Sequence, residues 1–152
     1  MRFFGGFYGI DKKTMDSRIE EIVQSLNMGD FKHRIIEKLS TGQVQKTSIA
    51  RCMIHDPKIY ILDEPTLGLD ILTSRTIIDF IKNEKKKGKT IIFSTHYMEE
   101  ADSLCDRIGL IHNGKLIQSG TIDQLKEATN KTNIRDIFLY YIDKGEWTHE
   151  EN

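Results

Sequence analysis

The chain has 152 residues, 30% of them charged, with 22 Lys and Arg set against 23 Asp and Glu for a net charge of −1. That length supports one domain core, and the balanced charge carries no footprint for nucleic acid. No apolar run approaches membrane-spanning length and the N-terminus has no signal-peptide apolar segment, so a soluble cytosolic protein is expected.

In chain order, Met15, Ile19, Ile22, Val23 and Leu26 recur at helical spacing and predict an amphipathic helix over about residues 14–27. Ser40-x-x-Gln43 is a capping box, which opens a helix running to about residue 54. Gly42 in its first turn leaves the backbone amides and the positive dipole end open to an approaching anion, although the box alone reads as an ordinary cap. The apolar run Ile59–Leu62 predicts a buried strand that ends on two adjacent carboxylates, Asp63 and Glu64. Open α/β sheets bind ligands at the carboxyl ends of their strands. Strand side chains alternate, so the first acid can hold Mg2+ while the second orients or deprotonates a water, the layout of a nucleoside-triphosphate hydrolase.

Beyond the acids, helices are predicted over about residues 71–87, 97–105 and 122–128, the last opened by a second box, Thr121-x-x-Gln124. A strand is predicted over about 90–94, and a hairpin joins about 108–112 to 115–119 around Asn113-Gly114. Ile134, Ile137, Phe138 and Tyr141 stripe a final short helix, after which residues 145–152 are expected to fray. Cys52 and Cys105 lie in apolar helical patterns and read as buried thiols, neither a disulfide nor a metal site. His33, His55, His112 and His149 have no ligand-cluster spacing and read as incidental.

The order Leu39-Ser-Thr-Gly-Gln43, Ile59–Glu64, Leu67-Gly-Leu-Asp70 and Phe93-Ser-Thr-His96 resembles the ATPase subunits of ABC transporters. In that family's terms Leu39, Ser40, Thr41, Gly42 and Gln43 correspond to the signature motif. Asp63 corresponds to the Walker B ligand of Mg2+, Glu64 to the catalytic base, Gly68–Asp70 to the D-loop, and His96 to the switch histidine. The stretches from Ala50 to Pro57 and from Glu99 to Arg107 fit the family as well. The likeness runs from about Arg2 to Ile142 and is nearest to bacterial subunits of the sodium-export and antibiotic-export type. Two positions depart from the pattern: Thr41 stands where the strictest signature has Gly, and Leu67 replaces the small polar residue usual before Gly68.

The resemblance implies an α/β P-loop NTPase domain with a mostly parallel sheet flanked by helices. It implies ATP and Mg2+ as cofactors and a second ATPase subunit packed head to tail, so that each ATP lies between one subunit's Walker A loop and the other's signature. It also implies a membrane permease that brings the chain to the inner face of the cell membrane, with no nucleic-acid partner. Residues 1–129 would be a partial ATPase domain, with the signature region over about 1–54 and the catalytic remainder over about 55–129. Residues 130–152 would form a C-terminal helix and tail.

What the sequence lacks is the Walker A loop, G-x-x-x-x-G-K-[ST], whose amides and lysine cradle the phosphates. Gly88-Lys89-Thr90 supplies only its second half: Asn83 stands where the first glycine belongs, and the run closes a helix and precedes a strand, the reverse of a P-loop. It reads as a helix C-terminus, with lysines on the negative dipole end and Gly88 just beyond. Only 38 residues precede Leu39, and they resemble the segment after the family's Q-loop, so the chain is expected to be a C-terminal part of the domain. Removing an interior strand leaves bare apolar faces and unpaired ladder groups, which predicts a marginal, aggregation-prone chain. Three functions follow: an export ATPase component represented by this part, a non-catalytic partner that lends its signature to an intact subunit, and a relative of DNA-repair or translation-factor ATPases. The third is disfavoured by the absence of long coiled coils and basic linkers.

Overall fold

Two parallel strands joined through a helix organise the first part of the chain. In the computed structural model, which describes residues 1–145, residues 1–94 form one compact unit and the residues from Thr95 onward a second. The fraying expected over residues 145–152 lies, apart from Gly145, outside the described residues.

The first unit contains α1 (Arg2–Phe7), α2 (Lys12–Ser25), a 3-10 turn at Ile36–Lys38, α3 (Thr41–Met53), β1 (Ile59–Leu62), α4 (Ile71–Lys86) and β2 (Thr90–Phe93). Side-chain caps start its main helices. Asp11 accepts from the Thr14 amide at α2, and Asp70 accepts from the Thr73 amide at α4. At α3 the box predicted from Ser40 and Gln43 is closed in both directions. Lys87 ends α4, and Gly88 follows at φ +80°, so the lysine-rich run is a helix end and not a phosphate loop.

β1 pairs with β2 in parallel, Tyr60 beside Ile91 and Ile61 beside Ile92. Tyr60 and Leu62 point into the core with Ile77, Phe80 and Ile81 of α4. The opposite face is bare: Ile59, Ile61 and Ile92 are 57%, 77% and 56% exposed. The expected parallel sheet is therefore present as a two-stranded pair, with outer edges that no described strand joins and one face lacking the cover that parallel sheets usually carry.

Beneath β1 the Tyr60 hydroxyl donates to the buried Glu84 carboxylate at 3.1 Å, and Lys87 Nζ reaches the same carboxylate at 2.6 Å. Burial, then the Glu84 charge, pushes the Tyr60 phenol well above its usual range. Folding therefore favours the neutral phenol, and its contribution is complete below the unfolded pKa of about 10 and lost as pH rises beyond it. Urea midpoints of the native chain should fall between about pH 9 and 11 more steeply than those of Tyr60→Phe. Parallel curves would show that the phenol is not held in this way.

The second unit contains α5 (Met98–Leu104), β3 (Arg107–His112), β4 (Lys115–Thr121), α6 (Ile122–Thr129) and α7 (Ile134–Lys144). The hairpin β3–β4 turns on Asn113 and Gly114, both at positive φ as a two-residue primed turn demands. Its inner residues Ile108, Leu110 and Ile117 form a core with Leu125, Ile134 and Ile137. The thiol expectation is corrected: Cys52 and Cys105 are free but only half-buried. Cys52 lies off the inward stripe of α3 that carries Ile49 and Ala50, and Cys105 caps α5 where the chain leaves the helix.

Candidate functional site

The strand end that carries the two acids is tied to the end of its neighbour. Beyond the last paired residues, the Ser94 hydroxyl donates to Asp63 Oδ1 at 2.5 Å and accepts from the Glu64 amide at 2.9 Å. The Ser94 amide continues the ladder onto the Leu62 carbonyl at 3.0 Å. Glu64 adopts φ +42°, a left-handed conformation costing a residue with a Cβ about 1–2 kcal/mol. The Ser94 acceptor holds that backbone in place. No described residue donates to Asp63 Oδ2, so the carboxylate keeps an oxygen for a cation. That fits Mg2+, which takes one or two carboxylates and completes its shell with water and phosphate oxygens. No denser cluster of His, Cys, Asp or Glu that could hold a metal exists among the described residues.

The residues expected to form the signature, Leu39–Gln43, stand at the tip of α3. The Ser40 hydroxyl takes the Gln43 amide at 3.3 Å and the Gln43 side chain returns to the Ser40 amide at 3.1 Å. The amides of Thr41 and Gly42 remain at the tip without an intrahelical acceptor. Leu39, in extended backbone, closes the preceding 3-10 turn. One turn into α3, Gln45 donates to the Pro65 carbonyl at 3.2 Å, which joins this helix to the turn that follows Glu64.

Gly42 has a packing role that its sequence context did not reveal. A Cβ there would lie 3.0 Å from Thr73 Cγ2 and 3.1 Å from Thr73 Oγ1. Thr73 is fixed by Asp70, which accepts its hydroxyl at 2.7 Å and its amide at 3.0 Å. These bonds, the hydroxyl's first, hold the Asp70 carboxyl below its usual range. Asp70 is thus the N-cap of α4, and the tips of α3 and α4 meet through the space that Gly42 leaves. Gly42→Val is expected to destabilise the chain by about 1–3 kcal/mol through overpacking, and Thr73→Ala should recover part of that loss. Strict additivity in chemical denaturation would rule out the contact.

The structure thus joins Ser40, Gly42, Gln43, Asp63, Glu64 and Asp70 within the first unit. His96 lies in the second, where its ring rests against Tyr97 at 4.2 Å and Thr95 bonds to Glu100. Ser94, Gln45 and Thr73 are the functional neighbours that sequence reasoning missed. The signal for Ser94 was its place at the end of the strand predicted over about 90–94.

A family profile described as "ABC transporter" matches residues 4–67. The ABC transporter ATP-binding protein NatA of Bacillus subtilis is 39% identical over 145 residues, 95% of this chain and 59% of that protein. A fluoroquinolones export ATP-binding protein of Mycobacterium tuberculosis is 34% identical over 135 residues, 89% of this chain and 44% of its own. A solved structure of the ATP binding subunit of an ABC transporter superposes with a TM-score of 0.83 at 25% identity, covering 93% of this chain and 60% of that one. The chain spans less than two thirds of the length of each of these proteins. In fold and in sequence, the chain is similar over most of its length to part of the ATP-binding proteins of the ABC transporter family.

Proposed function

We propose that residues 1–152 carry the signature and Walker B portion of an ATP-hydrolysing transporter subunit of export type. The observation that bears most weight is the Ser94 bridge, which sets Asp63 and Glu64 side by side at the strand end in different backbone conformations. Asp63 would hold Mg2+, which when bound neutralises charge on the phosphates. Glu64 would take a proton from the attacking water, and His96 would contact the γ-phosphate as the switch residue. Ser40, Thr41, Gly42 and Gln43, supported by Leu39, would present hydroxyl and amide donors to the γ-phosphate of a nucleotide held by a second subunit. Asp70 would set the D-loop at the same junction. The partners are that second ATPase subunit and a permease, with the chain peripheral to the inner face of the membrane. No described helix is long and apolar enough to cross it. The partial ATPase domain is assigned to residues 1–129 and the tail to 130–152.

The sequence holds no phosphate cradle of its own, so residues 1–152 alone are predicted not to turn over ATP. A second reading, in which the chain serves only to lend its signature, is favoured by the fully formed tip of α3. The test mixes the purified chain with an intact ABC ATPase subunit whose own signature serine has been replaced by arginine. Turnover in the mixture and none in the chain alone is expected. Mg-dependent turnover by the chain alone that disappears in Glu64→Gln would overturn the prediction of inactivity; a silent mixture would overturn action in trans.

A further inference from the structure

A second polar feature lies one turn along α3 from the signature. Lys46 is only 9% exposed, yet no described residue gives its ammonium a hydrogen bond or an ion pair. The other charged side chain buried in this unit, Glu84, is engaged twice. The Lys46 stem is buried while the ammonium nitrogen still meets solvent, which leaves the charge open to a solute. Gly42 and Lys46 share a helix face, which at Gly42 packs on Thr73 of α4. Lys46 lines a depression of about 400 Å³ with Ser25 at the end of α2, Asn27 just beyond it, and Thr73, Arg75 and Thr76 of α4.

The hydroxyl protons around this depression are already spent. Ser25 donates to the Ile22 carbonyl, Thr76 to the Leu72 carbonyl and Thr73 to Asp70. The donors that remain are the Lys46 ammonium, the Arg75 guanidinium and the Asn27 amide. The one carboxylate on the wall, Asp79, stands 4.0 Å from Arg75 in an exposed pair, a weak tie. We propose that this depression binds a small tetrahedral oxyanion, with inorganic phosphate as the prototype. Lys46 supplies the charge, and Arg75 and Asn27 the rim. The space exceeds a phosphate with several waters, a water's share being about 30 Å³, and a charge-assisted bond is the strongest partner an ammonium can take. The bound anion would tie the end of α2, the signature helix and the helix capped by Asp70 at one point. This seat is separate from the tip of α3.

The test is the thermal midpoint of the 152-residue chain in sodium phosphate up to about 20 mM, against sodium chloride at matched ionic strength, a range in which bulk exclusion effects are small. A saturable rise with phosphate alone is expected. Lys46→Met, which keeps the stem, should weaken half-saturation at least ~10-fold while melting no lower in chloride. Asn27→Asp places a carboxylate beside the ammonium at a residue whose φ of +50° suits Asp. It should raise the midpoint in chloride and abolish the phosphate response, which keeps the proposal testable if Lys46→Met does not fold. Ser40→Ala should retain the response, since the signature tip is a different place. No saturable rise in the native chain, or an undiminished one in Lys46→Met or Asn27→Asp, would overturn the proposal. So would loss of the response in Ser40→Ala.

Discussion

Alanine at Phe80 is expected to remove about 3–5 kcal/mol of stability, a large share of the 5–15 kcal/mol that holds a domain together. Phe80 is 3% exposed and meets the Tyr60 ring edge-on at 5.5 Å and 89°. Removing it opens a cavity between α4 and β1 at the point where both contribute most to the core. It also frees the Tyr60 ring, whose hydroxyl donates to Glu84. The measurement is the urea midpoint and slope by far-ultraviolet circular dichroism. Phe7→Ala, at an exposed ring of α1, serves as the control and should change stability by less than about 0.5 kcal/mol. Equal losses from the two variants would mean that the core between α4 and β1 is not packed as described.

Ser40→Ala in the mixed assembly is expected to cut turnover by about 10²–10³, the usual consequence of removing one donor aimed at developing charge. The same variant loses an N-cap, which alone costs about 1 kcal/mol of stability. Thr121→Ala separates the two effects. Thr121 caps α6 through an identical box with Gln124, so it should lose comparable stability and leave turnover unchanged. If both variants slow turnover alike, the signature serine acts through helix stability and not through contact with nucleotide.

Local chemistry made much of this readable in advance. β1 runs from Ile59 to Leu62 as its apolar run indicates, and both capping boxes close as their Ser or Thr and Gln spacing requires. What escaped the sequence depends on partners distant in the chain. α1 contains Gly5 and Gly6 and carries no helix signal. It is held because Gly5 makes room for the Met15 thioether and Arg51 lies over the Phe4 ring at 4.9 Å. Gly42 reads as an opening for an anion until Thr73, thirty-one positions later, is seen against it. His55, without ligand spacing, stacks face to face on Tyr8 at 4.0 Å, a contact no local pattern announces. Ser94 has a role only once the register of β1 and β2 is known.

That serine carries a mechanical consequence. Its single oxygen fastens the strand that bears the acids to the strand that leads out of the first unit, and the next peptide bond enters the second. Tension on the chain beyond residue 94 is therefore delivered to the Ser94 hydrogen bonds, which tie it to Leu62, Asp63 and Glu64. Glu64 sits there in a left-handed backbone conformation. In the proposed function, a pull that stretches these bonds would move the backbone of the carboxylate assigned to the attacking water.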